Sequence, residues 1–158
     1  MVPNQTNVFV VFLPMIDFEF LECEIPGFDS EFFVSAISDL IHSENKELGD
    51  VTLLFCTDEH MLKMNKEHLN HDYYTDIITF DYSLNQIISG DLFISIDRVI
   101  ENADMFSKSF ENELMRVVFH GVLHLCGYND KSEEDILVMR SKEDYYLTQL
   151  VSCETTGN

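Results

Sequence analysis

The sequence has few basic residues for its size. Lysine and arginine together number 9 in 158 residues, against 29 aspartates and glutamates, so the formal net charge is −20. A surface of that charge repels polyanions at long range, which disfavours unspecific nucleic-acid binding. Any RNA site on this chain therefore needs its few cations gathered on one face.

Paired cysteines and long apolar runs are also missing. The four cysteines lie far apart and form no CxxC motif, which favours reduced thiols in a cytoplasmic protein. The apolar run at residues 8–13 is too short to span a bilayer, and no basic residue precedes it as in a signal peptide. We therefore expect neither a membrane partner nor a signal peptide.

No repeat, linker or low-complexity segment divides the chain. We predict one domain over residues 1–158, with a loose N-terminus at 1–14 and a disordered tail at 152–158. Apolar and acidic residues alternate from Ile16 and slip in phase near Phe20, which indicates a bulged strand reaching Ile25. Helical apolar spacing then predicts a helix that begins at Asp29 or Ser30.

The remaining patterns predict the rest of an α+β fold. Strands are expected at 51–56, 76–82 and 91–96, with a turn or loop at 83–89. Helices are expected from residue 58, after residue 96, at 110–126, and from Ser132 to near Val151. This order favours one mixed sheet of about four strands with helices packed on it.

The segment from His120 to Asp130 carries the strongest chemical signal. His120 and His124 are four residues apart and share one face of a helix. Gly127 can end that helix, since glycine accepts the left-handed C-cap conformation, and the returning chain would bring Asp130 beside the imidazoles. These three side chains would form a Zn²⁺ site at the C-terminal end of a central helix, with a fourth position for water.

The segment also allows two other interpretations. A bare HxxxH pair is often only a pair of core histidines, but an unpaired imidazole on an apolar helix is costly. The pattern HxxxHxxGxxD also has the ligand spacing of metzincin proteases, which place a general-base glutamate directly after the first histidine. Here that position is Gly121, which disfavours a zinc-dependent peptide hydrolase.

Residues 120–130 resemble the HGxLHLxGYDH signature of the YbeY family of bacterial rRNA maturation factors. A second block also matches: Asn65, residues 75–80 and residues 90–92 are similar to the family's N…TDVLSF…GDI run. The resemblance covers roughly residues 50–150. It implies a metal-dependent endoribonuclease, usually with one zinc ion, that acts in small-subunit rRNA 3′-end maturation and ribosome quality control.

The resemblance also implies partners and ligands. Its partners would be rRNA and the small ribosomal subunit or its proteins, without a nucleotide cofactor. His120 and His124 would be the first two metal ligands. The third ligand of the family is histidine, whereas this chain has Asp130 there and Asn129 before it. A carboxylate still binds zinc, but it makes the site more negative and favours harder ions.

A second departure concerns the family's arginine in an N-x-x-Y-R context. The corresponding positions here are His68 and Leu69, and leucine cannot clamp a phosphate. His68 or His71 would be a substitute, although surface histidines in a polar loop are the favoured interpretation.

Three more residues are candidates near the site. Thr75 and Asp76 either orient a metal ligand or cap a strand, and the sequence leaves both open. Arg116 lies four residues before His120 and therefore on the same face of the predicted helix. Its guanidinium would bind a phosphate of the RNA or form an ion pair with Glu113, and the ion pair is the favoured interpretation.

No residue of the motif is an obvious general base, so the catalytic residues are not assigned. An alternative to the enzyme is a ribosome-assembly factor with a structural metal, whose acidic surface attracts basic ribosomal proteins. RNA binding would require six of the few cations to gather on one face around the metal. These cations are Lys63, Lys66, Arg116, Lys131, Arg140 and Lys142.

Overall fold

Four strands and five helices form the described part of the chain, residues 13–70 and 74–155 of this computed structural model. In chain order they are β1 (Met15–Phe20), α1 (Ser30–Ser43), β2 (Glu47–Cys56), α2 (Asp58–Leu69), β3 (Ile77–Asp81), β4 (Ile87–Ser95), α3 (Ile96–Met105), α4 (Phe110–Leu125) and α5 (Glu133–Thr155). The predicted α+β order is confirmed.

The sheet is mixed and has the strand order β1-β2-β4-β3. β1 and β4 pair with β2 in parallel, whereas β3 pairs with β4 in antiparallel orientation. The antiparallel pair follows from the short hairpin between β3 and β4. The start of β3 therefore lies beside the end of β4. Asp76 immediately precedes β3, and its carbonyl accepts a hydrogen bond of 2.9 Å from the N–H of Ser95 at the end of β4.

Two strand boundaries differ from the predictions. The bulged continuation of β1 to Ile25 is wrong, because the strand ends at Phe20 and Glu22 takes a left-handed conformation with φ +57°. The predicted loop at 83–89 is wrong for residues 87–89, which belong to β4. Mutual backbone hydrogen bonds of 3.0 Å between Leu84 and Ile87 close a tighter turn there, with Asn85 left-handed.

The last helix, α5, continues to Thr155, beyond its predicted end near Val151. The predicted disordered tail therefore overlaps this helix at residues 152–155, while residues 156–158 and most of the predicted loose N-terminus, residues 1–12, lie outside the described part. Within the described ranges, no helix is both long enough and apolar enough to cross a membrane.

The central helix α4 packs against the sheet through a glycine. A Cβ atom at Gly121 would lie 2.6 Å from Ile77 Cδ1 and 3.0 Å from Leu92 Cδ2. Both distances are short for packed carbon atoms, so a side chain at position 121 would displace the terminal methyl groups of Ile77 and Leu92, and glycine permits this close approach of α4 to β3 and β4 without such a shift. This contact brings the C-terminal half of α4, with both histidines, against the start of β3.

Candidate metal centre

The geometry of the site begins with the end of α4. As predicted, Gly127 adopts a left-handed conformation, with φ +106°. Its N–H donates to the carbonyl of His124 at 3.0 Å, and the N–H of Tyr128 donates to the carbonyl of Leu123 at 3.1 Å. These two bonds form a Schellman motif, which reverses the chain. The reversal returns Asp130 to the face of α4 that carries the histidines.

The three predicted ligands lie together. His120 Nε2 and His124 Nε2 are 3.0 Å apart, and Asp130 Oδ2 lies 3.4 Å from the first and 3.3 Å from the second. A tetrahedral ion with bonds of about 2.1 Å separates its ligand atoms by about 3.4 Å. The triangle therefore has the size that one zinc-like ion requires.

The other nitrogen of each imidazole determines where its hydrogen lies. His120 Nδ1 is 3.0 Å from Glu143 Oε2, and His124 Nδ1 is 2.8 Å from the Tyr128 carbonyl oxygen. A carbonyl and a carboxylate only accept, so in the neutral rings Nδ1 carries the hydrogen and Nε2 presents a lone pair. Three acceptor atoms then face one another, and this repulsive arrangement is relieved by a metal ion between them or by a proton on one imidazole. The donor set therefore fits a metal ion.

Glu143, on α5, supports the first histidine. Its side chain is only 5% exposed, and its Oε1 accepts from Arg116 Nη1 at 3.1 Å. Burial lowers the pKa of His120, but the hydrogen bond and the charge of Glu143 outweigh it and raise this pKa. Glu143 is not predictable from the sequence pattern, because it lies 23 residues after His120 on another helix and no spacing rule connects the two residues.

A second, half-buried carboxylate, that of Glu44, supports the other histidine through Tyr128. Glu44 accepts from Tyr128 Oη at 2.7 Å, Tyr146 Oη at 2.5 Å and Lys142 Nζ at 2.9 Å. Burial would raise the pKa of Glu44, but these hydrogen bonds outweigh it and hold the pKa below its usual value. Because Tyr128 also supplies the carbonyl that accepts from His124, the cluster fixes the loop that orients this ligand.

Thr75 and Asp76 also lie beside the candidate ligands. Both line a cavity of about 430 Å³ together with His120, His124 and Asp130. Burial raises the pKa of Asp76, although the charge of His120 partly opposes the shift. Thr75 Oγ1 donates to the Ile77 carbonyl at 3.4 Å, a contact that belongs to the start of β3.

The remaining predicted candidates have separate positions. Arg116 forms ion pairs with Glu143 at 3.1 Å and with Asp144 at 2.8 Å. The predicted ion pair with Glu113 is therefore wrong, because α5 packs against α4 and supplies both partners. His68 is exposed in the last turn of α2, and the two described cavities that border His120 do not include it. His71 lies outside the described residues.

The structure gathers some of the cations near the site. Arg116 and Arg140 line a cleft of about 420 Å³ that also contains His120 and Asp130. The Arg140 side chain is 58% exposed and lies 3.6 Å from Glu143. Lys142 instead binds Glu44. Two arginines therefore supply positive charge on one side of His120.

Comparison with known proteins identifies the family that this chain matches. The family model described as Endoribonuclease YbeY matches residues 22–151. Endoribonuclease YbeY of Flavobacterium psychrophilum is 52% identical over 129 residues, covering 82% of this chain and 87% of the relative. Its counterpart in Bacteroides thetaiotaomicron is 47% identical over 108 residues, covering 68% of this chain and 79% of the relative.

A similar fold is known from a solved structure. The solution structure of TM1509 from Thermotoga maritima superimposes with a TM-score of 0.64 and covers 90% of this chain and 93% of that one. The sequences are 24% identical, so this similarity concerns the fold alone.

Proposed function

This chain belongs to the endoribonuclease YbeY family, and we propose that it is a metal-dependent endoribonuclease whose centre is His120, His124 and Asp130. The observation that carries the proposal is the convergence of three acceptor atoms within hydrogen-bond distance of one another. The proposed cofactor is one zinc ion, for which two imidazoles and a carboxylate are suitable ligands.

The side chains around the ligands have distinct roles in this proposal. A bound zinc ion would lower the pKa of a water molecule and polarise a phosphate oxygen of the RNA. Glu143 and the Tyr128 carbonyl keep both imidazoles in the tautomer that presents Nε2 to the ion. Asp76 lines the same cavity and is our candidate to accept a proton there.

RNA would be held by the two arginines of the cleft. Arg140 has an exposed guanidinium, which can donate two parallel hydrogen bonds to a phosphate. These arginines would supply the positive charge that is missing at Leu69, which stands where the family has an arginine. The net charge of −20 repels RNA from the rest of the surface, so RNA binding would be limited to the cleft that contains these two arginines.

The proposed substrate is the 3′ end of the small-subunit rRNA, and the proposed setting is ribosome maturation and quality control in the cytoplasm. The family resemblance of residues 65–92 and 120–130 supports this substrate. The small ribosomal subunit, or its proteins, would then present the RNA to the site.

An RNA cleavage assay tests the enzyme. Protein stripped with a chelator should not cleave a single-stranded RNA, and addition of Zn²⁺ should restore cleavage. The double variant His120→Ala, His124→Ala should remain inactive with Zn²⁺. Equal cleavage by wild type and the double variant would mean that a contaminating nuclease is responsible, and the enzyme proposal would fail.

The acidic charge of −20 favours a second candidate, a non-enzymatic assembly factor with a structural metal. Basic ribosomal proteins would then bind the chain in a pull-down at low salt and dissociate at high salt. Absence of binding even at low salt would remove the main support for this candidate.

A further inference from the structure

The cleft on the Arg116 side of the metal centre contains polar groups that the proposed metal chemistry does not use. Its volume of about 420 Å³ is in the range of small-molecule sites. His120 and Asp130 border one end. The walls further from the centre contain an acid, an amide and an aromatic ring, which are Glu113, Asn102 and Phe106.

Glu113 is the most informative of these residues. It is only 4% exposed and it lines the cleft, and the nearby guanidinium of Arg116 forms its ion pairs with Glu143 and Asp144 instead. Burial raises its pKa, and the charge of Arg116 only partly opposes this. Its oxygens still reach the solvent of the cleft, since Asn112 Oδ1 is the one side-chain oxygen of the described residues that is both sealed from solvent and without a partner. A ligand that brings N–H groups to this partly desolvated carboxylate would therefore form charge-assisted hydrogen bonds with it.

The spacing along α4 places Glu113 at a useful distance from the metal centre. Glu113 precedes His120 by seven residues, which is two helical turns on one face and about 10.5 Å along the axis. A phosphate at His120 and a base edge at Glu113 can therefore belong to the same or the next nucleotide of one strand.

The other groups in the cleft suit a nucleotide. Phe106, at the C-cap of α3, is 55% exposed and offers a ring face on which a base can stack. Arg140 offers an exposed guanidinium to the backbone phosphate. Asn102 offers both a donor and an acceptor to a base edge.

We propose that this cleft is a guanine-selective nucleotide subsite in which Glu113 accepts hydrogen bonds from N1–H and N2–H of the base. Guanine is the base whose Watson–Crick edge has two adjacent N–H donors, matched to the two oxygens of a carboxylate. Adenine, cytosine and uracil each place an acceptor beside their donor, and that acceptor would face the carboxylate. The inference rests on the proposed endoribonuclease function for the position of the phosphate.

Equilibrium binding of nucleoside monophosphates to the zinc-loaded full chain tests the subsite without requiring cleavage. GMP should bind about tenfold or more tightly than AMP, CMP or UMP, as expected for a good bidentate contact. IMP, which lacks the N2 amino group, should bind less tightly than GMP. Equal affinities for the four common nucleotides, or equal binding of GMP and IMP, would overturn the proposal.

Replacement of the Glu113 carboxylate is the second part of this binding experiment. Glu113→Gln should abolish the preference for GMP, because the amide presents a donor to the base. Glu111→Gln is the matched control, since Glu111 is exposed in the same first turn of α4. Persistence of the preference in Glu113→Gln would refute the role of this residue. If Glu113→Gln does not fold, the relative affinities of the wild type for GMP and IMP decide whether the subsite is selective for guanine.

Cleavage of RNAs with a single guanine separates the two proposals. Selective GMP binding without cleavage of any RNA would refute the endoribonuclease while leaving the subsite intact. Cleavage at positions unrelated to guanine would refute the subsite while leaving the endoribonuclease intact.

Discussion

Replacing Glu143 with glutamine tests how far the metal centre depends on α5. Glutamine keeps the volume of the buried side chain but removes its charge. In the native structure Oε2 is 3.0 Å from His120 Nδ1 and Oε1 is 3.1 Å from Arg116 Nη1. Both neighbours are donors, so the introduced amide would direct its N–H₂ group at one of them.

The expected effect follows from this geometry. Loss of a partner that orients a metal-binding histidine lowers metal affinity about 10–100-fold, or about 1.4–2.8 kcal/mol at 1.4 kcal/mol per factor of ten. We expect the upper half of this range, because the side chain is 5% exposed and both of its oxygens are engaged.

Competition with a chromophoric zinc chelator at neutral pH measures the affinity. Glu134→Gln is the control, since Glu134 is exposed in the first turn of the same helix, and it should match the wild type. A zinc affinity of Glu143→Gln within twofold of the wild type would refute the reasoning that Glu143 orients His120.

Three further predictions concern the surroundings of the centre. Gly121→Ala should lower the free energy of unfolding by up to about 2 kcal/mol, because overpacking against Ile77 costs about 1–3 kcal/mol while the better helix propensity of alanine offsets about 1 kcal/mol; a variant more stable than the wild type in denaturant unfolding would contradict the tight contact. Glu44 has a folded pKa below its unfolded value of about 4.3, so its contribution to stability is present above that pH and is lost as pH falls through the folded value. Thermal unfolding of Glu44→Gln should therefore depend less on pH below about 4.3, and identical pH profiles would refute this. Asp130→His should bind Zn²⁺ but lose affinity for Mn²⁺ relative to Zn²⁺, since a carboxylate suits harder ions; an unchanged ratio of the two affinities would count against Asp130 as a ligand.

The sequence predicted the parts of the site that lie within one local segment. His120 and His124 are related by helical spacing, and Gly127 is the residue that a left-handed helix end requires. Both effects act over a few residues, so the pattern alone placed Asp130 near the imidazoles. The mixed sheet followed in the same way from strand and helix periodicity.

The supporting carboxylates could not be predicted, because they reach the site through tertiary packing. Glu143 contacts His120 from another helix, and Glu44 contacts Tyr128 across 84 positions of the chain. The partner of Arg116 was mispredicted for the same reason. The spacing along α4 favours Glu113, but Glu143 and Asp144 of the packed helix α5 form the ion pairs, at 3.1 and 2.8 Å.

Zinc binding to the purified protein tests the central claim most directly. Titration with Zn²⁺ should give one bound ion per wild-type chain, and the double variant His120→Ala, His124→Ala should bind none at this site. A wild-type chain that binds no zinc at micromolar free concentration, or a double variant that binds it as tightly, would contradict the assignment of the three converging atoms to a metal.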